Sequence, residues 1–148
     1  MLDLAKREVD SAGLLERVML AQGDANDIDW LDEEAADTVI SNSLIHHLDN
    51  PANGLATAVR LVKAGGRIFI RDLARPETES EIEDLVTQYC GEESTFAQQL
   101  FRQSLHAALN LSEVQKICGG LGIDTKRVQM SSDRHWTIDW TKPESDQG

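Results

Sequence analysis

Ala36-Asp37-Thr38-Val39-Ile40-Ser41-Asn42 and Arg67-Ile68-Phe69-Ile70-Arg71-Asp72 are two short runs, apolar at their centres and polar at their carboxyl ends, with a helical stretch between them. Strands buried on both faces of a parallel sheet read this way, whereas a half-exposed strand alternates apolar and polar residues. Asn50-Pro51 supplies an N-cap and a first-turn proline. Leu55, Ala58, Val59 and Val62 then share one helical face, and Gly65-Gly66 is the expected stop. Strand, helix and strand with short joints form a βαβ unit, so the spacing predicts an α/β fold with a parallel sheet.

Working outward, Leu2, Ala5 and Val9 recur at helical spacing and Gly13 follows as a stop. No Ser, Thr, Asp or Asn precedes this first turn, so the expectation is a chain that opens within an already running helix. Val18 to Gly23 is a short apolar run closed by Gly23-Asp24, predicting a further buried strand that delivers an acid at its carboxyl end. From Pro76 to about Leu121 the pattern is helical. Ile82, Leu85, Val86 and Tyr89 mark one face; Phe96, Leu100, Phe101, Leu105, Ala108 and Leu109 mark another, read as core more than as a substrate box. Ser112-Glu113-Val114-Gln115 is read as a capping box opening a helix that ends among Gly119, Gly120 and Gly122. Ile123 to Met130 and His135 to Trp140, separated by Ser131-Ser132-Asp133-Arg134, predict a terminal antiparallel hairpin.

The chain has 148 residues, 14 Lys+Arg against 26 Asp+Glu and a formal charge of −12, enough length for one domain with its own core. That balance disfavours a polyanionic partner, because phosphate backbones and anionic leaflets are bound by clustered Lys and Arg, and none cluster here. No apolar stretch approaches the roughly 20 residues that span a bilayer, and the first residues hold no apolar signal core. The expectation is a cytoplasmic protein that engages neither membrane nor nucleic acid. Cys90 and Cys118 stand alone in sequence and read as small hydrophobes.

Three fragments together resemble the class I S-adenosylmethionine-dependent methyltransferases, the small-molecule branch in particular. They are Gly23-Asp24-Ala25, the run from Ala36 through Ser41-Asn42-Ser43-Leu44-Ile45-His46-His47-Leu48, and Arg60-Leu61-Val62-Lys63-Ala64-Gly65-Gly66-Arg67-Ile68-Phe69-Ile70. Met1-Leu2-Asp3-Leu4-Ala5-Lys6 also resembles the helix after that family's second strand. The resemblance covers roughly the first half of the chain. It implies a Rossmann-like, doubly wound, mostly parallel sheet ending in an antiparallel hairpin, with residues 1–142 as a partial domain and 143–148 as a disordered tail. The family's glycine-rich loop and ribose-binding acid would precede Met1, so the expectation is an N-terminally truncated fold with a gap in the sheet. Its open strand edges would favour a homodimer.

The resemblance implies S-adenosyl-L-methionine as cofactor, with Asp24 and Ala25 at its adenine and Ser41, Asn42 and Ser43 along its methionine portion. These last residues also lie outside the carboxyl end of a strand, where open α/β sheets bind ligands. His46 or His47 can take a proton from a substrate hydroxyl or amine near neutral pH, or can merely shape the site. No metal is expected, since the adjacent histidines lack partners at ligand spacing. Arg71, Asp72 and Arg75 follow the strand that ends at Asp72, on the rim where a small-molecule acceptor would enter; an arginine there can clamp a carboxylate, or all three can form local ion pairs. Trp30, Trp136 and Trp140 read as packing. Methyl transfer to a small molecule is the expected activity. The alternatives are a non-catalytic truncated module dimerising through open edges and a NAD-dependent oxidoreductase fragment, for which Tyr89 is the only tyrosine.

Overall fold

The computed structural model describes residues 1–144; Ser145 to Gly148, most of the expected tail, lie outside the described residues. Asn50 starts a helix as its chemistry dictates, its side-chain oxygen accepting from the Asn53 N–H with Pro51 in the first turn. This helix, α2 (Pro51–Leu61), joins strand β1 (Ala36–Asn42) to strand β2 (Val62–Leu73), and β1 and β2 pair in parallel. Leu2–Ser11 forms α1. Beyond β2 come α3 (Glu79–Cys90), α4 (Thr95–Ala107), α5 (Leu111–Gly120), β3 (Val128–Met130) and β4 (His135–Thr141). The sheet order is β1-β2-β4-β3, with β4 antiparallel to both its neighbours.

The main core lies where α2, α5 and one sheet face meet. Ile68 and Ile70 of β2, Trp136, Ile138 and Trp140 of β4, Val128, Val114, Cys118, Leu55 and Ala58 close it. A second cluster joins Leu73 to Ile82, Leu85 and Val86 of α3 and Leu105 of α4. Burial raises the Cys118 thiol to about 12, so it behaves as a packed hydrophobe. Cys90 is only half-buried. Phe101 and Leu105 join the second cluster as the stripe predicts, but Phe96 and Leu100 are exposed. The opposite sheet face is barer: Ile40 is 75% exposed beside the partly exposed Phe69, its register partner.

Four expectations need correction. Val18 to Gly23 is an irregular, exposed segment, because no strand lies beside it to take its backbone hydrogen bonds. The helix after Asn50 stops at Leu61, and Val62 already begins β2. Gly65-Gly66 therefore sits inside the strand, where Gly65 takes φ +73° and a side chain on Gly66 would lie 2.8 Å from the Asp37 carbonyl. The pairing register shifts there. Finally, the capping box at α5 is Asn110 with Glu113, since the chain turns helical at Leu111 and Asn110 is the residue before it. A second box, Thr78 with Glu81, opens α3.

The close backbone at Gly66 yields a test. Gly66→Ala should lower stability by about 1–3 kcal/mol in urea titration, because rigid carbonyls must move. Gly120→Ala, with nothing within 4 Å of the new carbon, should be neutral or slightly stabilising.

Candidate functional site

Parallel pairing puts the carboxyl ends of β1 and β2 side by side, and one buried carboxylate joins them. After Asn42 the backbone turns through Ser43 in a left-handed conformation, φ 55°, whose N–H donates to the Arg71 carbonyl at 3.0 Å. The chain then enters a single 3₁₀ turn, Ile45–His47. The N–H groups of Leu44 and Ile45 donate to Asp72 Oδ2 at 2.8 and 2.6 Å. Asp72 Oδ1 accepts from the Leu73 N–H at 2.7 Å and from His46 Nδ1 at 2.5 Å.

Asp72 is 0% exposed. Burial works to raise its pKa, but the hydrogen bonds from His46, Leu73 and Ile45 and the nearby imidazole outweigh it and hold the carboxyl below its ordinary value. A carboxylate only accepts, so His46 Nδ1 carries the hydrogen, and Nε2 is the ring nitrogen that Asp72 leaves unengaged. His46 is buried while His47 is exposed, with their ring centroids 3.9 Å apart.

Asn42 and Ser43 lie exposed at the tip of β1, and Ser41 is half-buried with its Oγ shut off from water and hydrogen-bonded to nothing among the described residues. Asp24 sits in a turn, where its Oδ1 accepts from Asn26 N and Nδ2 at 2.9 and 3.1 Å; Ala25 beside it is half-buried. That turn rests on α2, since Thr57 donates to the Asn26 carbonyl at 3.3 Å. Arg60 clamps the following loop through the Leu31 carbonyl at 3.0 Å and the Ile28 carbonyl.

The residues expected on the substrate rim separate. Strand side chains alternate, so Arg71 and Asp72 face opposite sides of β2, and Asp72 lies beneath the turn instead of on the rim. Arg75 donates to the Ala108 carbonyl at 3.0 Å and to Glu113 at 2.5 Å, tying the end of β2 to the α5 cap. It also lines a cavity of about 510 Å³ with Glu77, Asp84, Leu85, Met130 and Asp133. Of the two arginines, Arg71 has no carboxylate partner among the described residues; its Nη2 lies 3.2 Å from His135 Nδ1. His135 escaped sequence reading, because only the β2–β4 register brings it here.

Trp136 and Trp140 are buried as expected, whereas Trp30 is 47% exposed beside Gly23. Tyr89 donates its hydroxyl to Asp133 at 2.6 Å with the Arg134 guanidinium over its ring, so it is not poised as the free acid of a dehydrogenase. No cluster of three or more His, Cys, Asp or Glu among the described residues is placed to hold a metal. No helix there is long and apolar enough to cross a membrane.

Residues 1–70 match the family model described as a methyltransferase domain. Nearly all of the chain also superposes on solved methyltransferase structures. A SAM-dependent methyltransferase from Aquifex aeolicus aligns at TM-score 0.64 and 18% identity over 94% of this chain and 62% of its own. The fold is that of the class I methyltransferases. Another methyltransferase structure with that fold, from Methanococcus maripaludis, aligns at 0.64 and 19% identity over 99% of this chain and 64% of its own. An O-methyltransferase family protein from Burkholderia thailandensis aligns at 0.65 and 21% identity, over 97% and 41%. The chain thus spans less than two thirds of each of these methyltransferase chains. No curated protein sequence matches it.

On this fold Asp72 is the structural pivot, and its substitution is informative. Asp72→Asn should cost about 3 kcal/mol at neutral pH, since buried donors lose their charged acceptor. A carboxyl with a depressed pKa stabilises the folded state above the unfolded value, ordinarily 3.8, and that contribution is lost as pH falls through the lower folded pKa. Urea titrations from pH 7 to pH 2 should therefore show wild type and variant converging only below about pH 4.

Proposed function

We propose that this chain serves S-adenosylmethionine-dependent methyl transfer to a small-molecule acceptor, as a cytoplasmic enzyme domain. The observation that carries the reading is the polar tip of β1, Ser41-Asn42-Ser43, beside the carboxyl end of its parallel partner β2, on a class I methyltransferase fold. Ligands of open α/β sheets bind outside such strand ends. The donor set fits the cofactor there, since Ser41 Oγ is a buried hydroxyl without a partner among the described residues and Asn42 offers an exposed amide.

Asn42, Ser41 and Ser43 would hold the amino-acid end of the cofactor. Asp24 and the Ala25 N–H would meet the adenine, with Asp24 Oδ2 free of the bonds that occupy Oδ1. When bound, the cofactor supplies a methyl group already activated by a sulfonium, so the protein contributes mainly alignment and exclusion of water. His46 is the catalytic histidine of this reading: Asp72 keeps the hydrogen on Nδ1, and Nε2 takes the proton from the acceptor's hydroxyl or amine. His47, exposed beside it, would line the acceptor side. Arg71 would meet the acceptor, while Arg75 and Asp72 support it from behind. The net charge of −12 disfavours DNA or RNA as acceptor.

A second reading is favoured by the edge position of β1 and the exposure of Ile40 on it. A bare edge strand recruits another strand, so a homodimer paired through β1, catalytic or not, follows the same logic.

Titration calorimetry with S-adenosylhomocysteine tests the first reading. We expect micromolar binding that Asn42→Ala weakens about tenfold with an unchanged melting temperature. In turnover, His46→Gln should lower kcat by about a hundredfold or more. Absence of any binding heat, together with a dimer in light scattering, would leave the non-catalytic module standing.

A further inference from the structure

We infer that Arg71 anchors a carboxylate-binding site at the carboxyl end of β2, framed by Asn42 and His135. Arg67 and Arg71 project from the same face of β2, and their surroundings differ in charge. Arg67 is held by Asp139 of β4 through two bonds of 2.8 Å, the bidentate geometry an arginine forms with a carboxylate. Arg71 faces Asn42 across the parallel pairing and Thr137 across the antiparallel one, and neither carries charge.

The two acids that act on the neighbouring His135 are already engaged. Asp72 is turned to the other face with its oxygens taken by the turn and His46, and Asp133 receives Tyr89 and Arg134. Arg71 is half-buried, and its Nε is shut off from water with no acceptor among the described residues. The Nη side of this half-buried guanidinium meets a neutral imidazole and no carboxylate among the described residues, so a counter-charge has to reach it there from outside.

The support for Arg71 is itself neutral. His135 Nδ1 lies 3.2 Å from Arg71 Nη2 and 2.8 Å from Ser132 Oγ. A guanidinium only donates, so Nδ1 must accept, which requires an uncharged imidazole with its hydrogen on Nε2. Burial, with Arg71 and Arg134 nearby, disfavours charging that ring. The result is an arginine fixed by a neutral partner and left without a carboxylate among the described residues, at the strand end where this sheet class receives ligands. A planar monoanion is the matching ligand. The carboxylate can belong to the amino-acid end of the cofactor or to the acceptor, and the cofactor source rests on the methyl-transfer reading.

The test follows the side-chain Nε–H resonance of Arg71 by NMR, assigned through its loss in Arg71→Lys. The intact chain is titrated with S-adenosylhomocysteine, with 5′-methylthioadenosine, which lacks the amino-acid end, and with sodium benzoate. A shift with S-adenosylhomocysteine but not with methylthioadenosine supports the site with the cofactor as source. A shift with benzoate supports it with the acceptor as source, whether or not the nucleosides bind. Arg71→Lys, which keeps the charge but loses the fork, should weaken the effective ligand roughly tenfold without moving the thermal midpoint. If S-adenosylhomocysteine binds, as heat shows, yet no ligand moves the resonance, the carboxylate site is wrong while methyl transfer stands. If no nucleoside binds and benzoate leaves the resonance in place, both fall.

Discussion

A single buried charge organises the carboxyl ends of β1 and β2. Asp72 receives three backbone N–H groups and one imidazole, and three of these four donors come from the turn that follows β1. The turn has no ladder partner of its own, so its donors would otherwise face the interior unpaired. The carboxylate gathers them, and with them the left-handed Ser43, the 3₁₀ turn and the histidine are held against the end of β2. Parallel pairing alone aligns the two strand ends; the carboxylate converts that alignment into a rigid rim.

The parts of the fold that were legible in sequence are those that declare themselves locally. Thr38-Val39-Ile40 and Ile68-Phe69-Ile70 are runs too short for helices, and Asn50-Pro51 is a start signal with a mechanism. Ser131 to Arg134 marks the hairpin for the same reason. Val18 to Gly23 shows the limit of such reading. Its apolar run is as good as that of β1, but strand formation is a property of a pair, and among the described residues no strand lies beside it. Val62 shows a subtler limit, since its position extends the helical stripe of α2 while its β-branched side chain suits the strand it begins.

At the site, the rule that ligands meet strand carboxyl ends singled out Ser41, Asn42 and Ser43 from sequence, and they stand at the carboxyl tip of β1 and the turn that follows it. The same rule grouped Arg71, Asp72 and Arg75 as rim residues, and the structure divides them: Arg71 meets His135 on one face of β2, the acid turns inward on the other and Arg75 is spent on Glu113. A strict count of strand parity would have separated Arg71 from Asp72. It would not have found Glu113 or His135, because those contacts depend on how a distant helix cap and the terminal hairpin return to β2.

The loop between α1 and β1 carries a consequence for binding. No residue from Met1 to Ala35 is buried, and the segment meets the rest of the chain through a few polar bonds, chiefly the Arg60 clamp and Thr57. Segments so sparsely packed open at a fraction of the global free energy, as separate cooperative units. Asp24 rides on that unit, whereas Asn42 belongs to the sheet. Any ligand touching both would have to immobilise the first against the second, so its affinity would be diminished by the ordering entropy and its arrival would be recorded as slowed amide exchange from Gly23 to Leu31.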